Sequence, residues 1–163
     1  MMRSLILACS LFLAGLAQAA TADAALTQQV NAFVDGWHDD AAHARMAYFD
    51  KIAPDGVYIG TDRGELWQRD AFKAWAGKFF ARGSAWSFHA TRRNVYASAD
   101  GKLIWFDELL DTPNMGHCMA SGVVRRTAKG FEIVHYQLSI AVPNAVAKQV
   151  TSLVKEAEAQ ATK

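Results

Sequence analysis

Cysteine and proline are scarce in this chain, net charge is close to zero, and no apolar run is long enough for a bilayer. Each shortage excludes something. The two cysteines are Cys9 and Cys118. Cys9 falls in an N-terminal segment read below as removable, so Cys118 stands alone and an internal disulfide is excluded. Seventeen Lys and Arg face sixteen Asp and Glu, for a formal charge of +1. Such a balance has little long-range pull on phosphate backbones, so nucleic acid is not an expected partner. The longest apolar stretch, Leu5 to Leu16, is shorter than the ~20 residues a spanning helix needs. Repeats, low-complexity tracts and linkers are missing too.

Motif shortages narrow the chemistry. Gly60-Thr61-Asp62-Arg63-Gly64 is a loop by composition, but it lacks the Gly-Lys-Ser/Thr ending of a phosphate-binding loop. His38-Asp39-Asp40 followed by His43 invites a metal reading. The two histidines are separated around a helix, however, and Asp39 with His43 supplies only two ligands, so a solvated helix end is the expectation. No metal and no cofactor is called for.

What is present begins with the N-terminus. Met1-Met2-Arg3, the apolar run, and Ala17-Gln18-Ala19 ahead of Ala20 form the pattern of a secretory signal peptide over residues 1–19. Arg3 is the only charged residue in it. The expected product is a neutral, periplasmic or secreted protein with no membrane attachment after cleavage. It has the length of one domain, enough to bury a core without staples.

Apolar periodicity then sets the elements. Leu26, Val30, Phe33 and Trp37 recur at helical spacing within Thr21–Asp40. A second helix, about Ala42–Ile52, carries Tyr48, Phe49 and Ile52 and is closed by Pro54. A short strand Val57–Ile59 follows, and then a third helix, about Asp70–Ala81, with Phe72, Trp75 and Phe79 on one face and Gly83 to stop it. Beyond Gly83 the period becomes that of strands: Trp86–Thr91 and Asn94–Ala99 (two strands or one bent one), Leu103–Leu110, Cys118–Arg126 and Phe131–Val142. Asp100-Gly101 marks a tight hairpin. Pro143-Asn144 opens a tail helix, residues 144–163, with Val146, Val150 and Leu153 on one side. Helices followed by hairpin-linked strands give an α+β domain with helices on one face of an antiparallel sheet. Leu103–Leu110 alternates poorly, which predicts a strand covered on both faces, the second by the tail helix or another subunit.

Two polar clusters interrupt the apolar strands and mark the candidate site. Asp107-Glu108 ends Leu103-Ile104-Trp105-Phe106, and His135, Gln137 and Ser139 alternate with Val134, Tyr136, Leu138 and Ile140. Charged groups are costly to bury unless paired or in contact with ligand or water, so a sheet face carrying them is a candidate pocket wall. Asp107 and Glu108 point to opposite faces of their strand, so only one can serve as a general base in an apolar cavity. The alternative is a structural pair with Arg92, Arg93, Arg125 or Arg126. For His135 and Gln137 the choice is between a pocket wall and a half-polar subunit interface. Asp107, Glu108 and His135 are the catalytic candidates. Tyr58, Trp67, Asp107, Glu108, His135 and Gln137 are the expected ligand wall, and Cys118 is expected to be a small buried hydrophobe.

The chain also resembles a known family. Ala53-Pro54-Asp55-Gly56-Val57-Tyr58-Ile59-Gly60-Thr61-Asp62, Trp67, and Trp105-Phe106-Asp107-Glu108 carry the likeness. So do Gly116-x-Cys118-x-x-Ser121-Gly122-Val123, Ile133-x-x-Tyr136-x-Leu138-Ser139 and Pro143-Asn144. Together they are similar to the SnoaL-like branch of the nuclear transport factor 2-like superfamily, in an exported form with the Trp-Phe-Asp-Glu signature. The resemblance implies a SnoaL-like domain over residues 20–143, with a strongly curved sheet enclosing a conical pocket, usually in a homodimer. Three functions follow as expectations. The first is an exported protein that binds a small, largely apolar molecule without an assignable reaction. The second is an isomerase, dehydratase or hydrolase with a pocket carboxylate as base. The third is a dimeric assembly module with a vestigial pocket.

Overall fold

The computed structural model describes residues 20–161, so the expected signal segment lies outside the described residues. The element order is β1 (Ala20–Thr21), α1 (Ala24–Ala42), α2 (Ala47–Asp50), β2 (Ile52–Ile59), β3 (Leu66–Gln68) and α3 (Arg69–Phe80). Then come β4 (His89–Ala97), β5 (Leu103–Thr112), β6 (Gly116–Thr127), β7 (Gly130–Ile140), a 3-10 turn (Asn144–Val146) and α4 (Ala147–Ala161).

Helix α1 starts where Asp23 accepts a hydrogen bond from the Leu26 N–H at 2.7 Å, satisfying one of the free donors of the first turn. Its buried stripe is Val30, Val34, Trp37, His38 and Ala41. That stripe is rotated from the expected one, leaving Leu26 and Phe33 at its margin. The seven strands form one sheet in the order β1-β4-β5-β6-β7-β2-β3. All neighbours are antiparallel except β2 and β7, which run parallel, so the sheet is mixed rather than wholly antiparallel. The reason is connectivity: β2 enters from the helices on the same side as β7 begins, and Lys51 O accepts from Ile133 N across that junction.

Other differences have local causes. Ile52 and Pro54 belong to β2 rather than ending α2, because Ile52 pairs with Ile133 while the exposed Pro54 sits where the register shifts. The two segments expected after Gly83 form one strand, β4, with a shift between Ala90 and Arg92. Trp86 lies in the irregular approach to it. Strand β5 alternates in burial, with Ile104, Phe106, Glu108 and Leu110 inside, so its outer face is only partly covered. The tail helix does not cover it; among the described residues α4 buries none of its own.

The core lies between α1 and the inner sheet face. Trp37 stacks on Tyr48 at 4.8 Å, meets Tyr136 edge-on at 4.8 Å, and donates its N–H to the Tyr48 carbonyl at 3.0 Å. A ring quadrupole favours these stacked and edge-to-face pairs over random packing. The conical interior is therefore largely filled, and open space is displaced towards one end.

Candidate functional site

Glu108 points inward and is 1% exposed. Its Oε1 accepts from His38 Nε2 and from the Tyr136 hydroxyl, both at 2.9 Å. Its Oε2 takes Arg93 Nε at 2.8 Å and Nη2 at 2.7 Å. Arg93 in turn reaches Asp35 Oδ1 at 2.9 Å. Burial alone would raise the Glu108 pKa, but the His38 and Arg93 contacts outweigh it and hold the carboxyl below its usual value. The carboxylate is thus ionised and fully engaged. The alternative of a structural pair describes it, not that of a free base in a cavity.

Asp107 faces the other way. It accepts from Asn94 Nδ2 at 2.7 Å and the Tyr96 hydroxyl at 3.0 Å, and this contact pushes the Tyr96 hydroxyl pKa up. His135 and Gln137 are on that outer face as well, correcting the expectation that they line a hollow. The cause is a bulge in β7. His135 pairs with Val123 and Ile133 pairs with Val124, so Val134 is the extra residue. The shift lets Ile133, Tyr136 and Leu138 share the core, whereas strict alternation would have put Ile133 with His135. Asp107, Ser121 and Gln137 form one row across β5, β6 and β7 on the outer surface.

Of the expected wall, only Tyr58 and Trp67 border an aromatic cavity of about 260 Å³ at one end of the sheet. Strand β2 supplies Tyr58 and β3, paired with it in register at Trp67, supplies the indole. Helix α3 adds Phe72, Trp75 and Phe79; the segment before β4 adds Trp86 and Phe88. Tyr58 stacks on Phe72 at 4.0 Å, and Trp67 packs against Trp75 at 4.6 Å with the rings tilted by 34°. Glu65 is the one ionisable carboxylate among the described lining residues, and its Oε2 accepts from the Thr61 and Asp62 N–H groups at 2.9 and 3.2 Å. No lysine, arginine or histidine is among them. Burial pushes the Tyr58 hydroxyl pKa well up, keeping it protonated as a donor.

A second, polar cleft of about 380 Å³ is bordered by Asp35, His38, Asp39, His43, Ser87, Phe88 and His89. His38, read from sequence as part of a solvated helix end, is 4% exposed. Its signal was available: it follows Trp37 and sits at i+4 from Val34, on the stripe that α1 buries. Asp40 is also buried, paired with Arg45 Nε and Lys51 Nζ at 2.6 Å each. Cys118 is buried, and burial pushes its thiol pKa up, away from reactivity. Trp75 and Phe79 were missed as cavity residues because rings at helical spacing look the same whether they face a core or a cavity, and Phe88 because it lies in an irregular segment with no periodicity to read.

Residues 30–143 match the family described as the SnoaL-like domain. No curated protein matches the chain. Among solved structures it is similar to an NTF2-like protein of unknown function from Pseudomonas putida KT2440, with TM-score 0.62 and 14% identity over 75% of this chain and 91% of that one. A protein of unknown function with a cystatin-like fold from Nostoc punctiforme aligns with TM-score 0.59 and 12% identity over 75% and 96%. An NTF2-like protein from Novosphingobium aromaticivorans aligns with TM-score 0.56 and 14% identity over 76% and 86%. Identities this low establish the shared α+β fold alone.

Proposed function

Because the chain belongs to the SnoaL-like domain family, whose NTF2-like fold does not by itself fix a reaction, we propose that it is a small-molecule-binding protein. Its ligand is neutral, flat and largely apolar, and it occupies the aromatic cavity. The observation that carries this reading is the make-up of that cavity. Its walls are mostly rings, the one carboxylate among its described lining residues is engaged by backbone N–H groups, and no lysine, arginine or histidine is among those residues. A volume of about 260 Å³ corresponds to fewer than ten waters at roughly 30 Å³ each, which fits a one- or two-ring molecule. Pockets of this kind are apolar with a few polar points for orientation; Tyr58, Thr61 and Asn114 are the uncharged polar residues in this lining.

An isomerase, dehydratase or hydrolase reading needs a base beside the substrate proton. Neither expected carboxylate supplies one, since Glu108 is bound by Arg93 and Asp107 faces outward. The binding reading includes export, supported by the signal pattern of residues 1–19. It also includes a homodimer joined through the outer sheet face.

The test is a calorimetric titration with naphthalene as a neutral flat probe. Binding should be seen in the wild type, and Trp67→Ala should weaken it about tenfold, the loss of a stacked ring contact of roughly 1–1.5 kcal/mol. Asp107→Asn and His135→Ala should match the wild type. No binding up to the solubility limit overturns the proposal.

A further inference from the structure

His38 has one committed ring nitrogen and one idle one. An ionised Glu108 can only accept, so the 2.9 Å contact requires a hydrogen on His38 Nε2. In the neutral ring the lone pair then sits on Nδ1. That atom is buried and has no hydrogen-bond partner among the described residues. Buried polar atoms without partners are uncommon and call for a reason. A ring held by Glu108 on one side with its other nitrogen unused is preorganised to accept a hydrogen bond, much as a positioned base is held by its carboxylate.

What stands over this ring is Phe88. The two rings meet edge-on at 5.5 Å and 80°. Among the described residues, Phe88 is also the one that borders both the aromatic cavity and the polar cleft containing His38. It lies in the irregular segment between α3 and β4, after Gly83 at φ +83°, with no strand pairing of its own. One half-buried phenyl ring thus separates an apolar compartment from an unsatisfied acceptor.

We infer that the two spaces form one bipartite site, and that the ligand is an aromatic molecule bearing a hydroxyl or N–H group. Its ring system rests among Trp67, Phe72 and Trp75, while its donor passes Phe88 to reach His38 Nδ1. This rests on the binding reading above and names the ligand class for the same site. His38 is the polarity reader, Glu108 fixes its tautomer, and Phe88 is the partition that swings aside.

The experiment compares 2-naphthol with naphthalene by calorimetry on the full protein, reading the ratio of their affinities. In the wild type 2-naphthol should bind about three- to tenfold more tightly, the span that one net hydrogen bond confers. His38→Phe should bring the ratio to about one. Phe88→Ala, which removes none of the hydrogen-bond partners of Glu108, should raise it above the wild-type value and keeps the test decisive should His38→Phe fail to fold. A wild-type ratio near one, or a Phe88→Ala ratio equal to the wild type, overturns the inference while the cavity reading stands. Absence of binding by both compounds removes both.

Discussion

At the scale of the residue, the decisive fact is that a glutamate in the core is partnered on every side. Removing one member of a buried ion pair strands the other, at a cost of about 3–5 kcal/mol. Arg93 keeps Asp35 and Asn31 as partners, so Glu108→Gln should fall at the lower end, measured by urea unfolding at pH 7. The pH dependence has a definite sign. The folded Glu108 pKa lies below its unfolded one. Its stabilisation is therefore complete above the unfolded value of about 4.3 and is lost as pH falls through the folded value. Unfolding free energy should drop from about pH 5 downward, less steeply in Glu108→Gln than in the wild type. Equal slopes would show that other acids carry the effect. Gly122 sets a second residue-scale limit, because a Cβ there would stand 2.5 Å from the Phe106 ring and 3.2 Å from the His135 carbonyl. Gly122→Ala should cost about 1–3 kcal/mol through overpacking, seen as a lowered midpoint with an unchanged denaturant slope.

At the scale of the element, the bulge in β7 and the free-standing tail helix matter most. The fold was largely legible in the sequence: helical spacing located α1 and α3, and Asp100-Gly101 located the β4–β5 hairpin. The candidate site was much less so. Alternation is a period-two rule, and a single extra residue at Val134 reverses every orientation beyond it; nothing in Ile133-Val134-His135-Tyr136 announces that insertion. Arg93 was among the partners considered for Glu108, but His38 and Tyr136 come from α1 and β7, and no local pattern reports such contacts. Helix α4 was expected from its stripe, and the stripe is largely exposed: Val146 and Leu153 are 37% and 66% exposed and Val150 is half-buried, with an Arg63–Glu158 contact at 3.6 Å to the body. Deleting residues 144–163 should therefore change unfolding free energy by no more than about 0.5 kcal/mol, as surface changes do. A loss of several kcal/mol in the same urea experiment would mean that the stripe is packed in solution.

At the scale of the whole molecule, the question is what covers the outer sheet face. Leu103 and Met119 are 50% and 52% exposed. Met119 pairs with the half-buried Leu109, and Trp105 with Val123, to give two apolar cross-strand pairs on this face. Tyr96 stacks on Trp105 at 5.8 Å beside them, and the polar row of Asp107, Ser121 and Gln137 runs between. An apolar surface crossed by hydrogen-bonding groups suits a second copy of the chain better than water or lipid. A two-fold contact would set the row against itself, polar on polar and apolar on apolar. A formal charge near zero puts little long-range repulsion in the way. The homodimer should then show two linked signs: a dimeric mass in sedimentation equilibrium, and a midpoint temperature that rises with protein concentration because association stabilises the folded state. Leu109→Glu with Met119→Glu places four like charges at the contact and should abolish both signs, leaving a monomer whose midpoint is independent of concentration. A wild type that sediments as a monomer at about 100 µM, some hundredfold above a micromolar Kd, would end the dimer proposal. The cavity, on the opposite face of the sheet, would be untouched by that result.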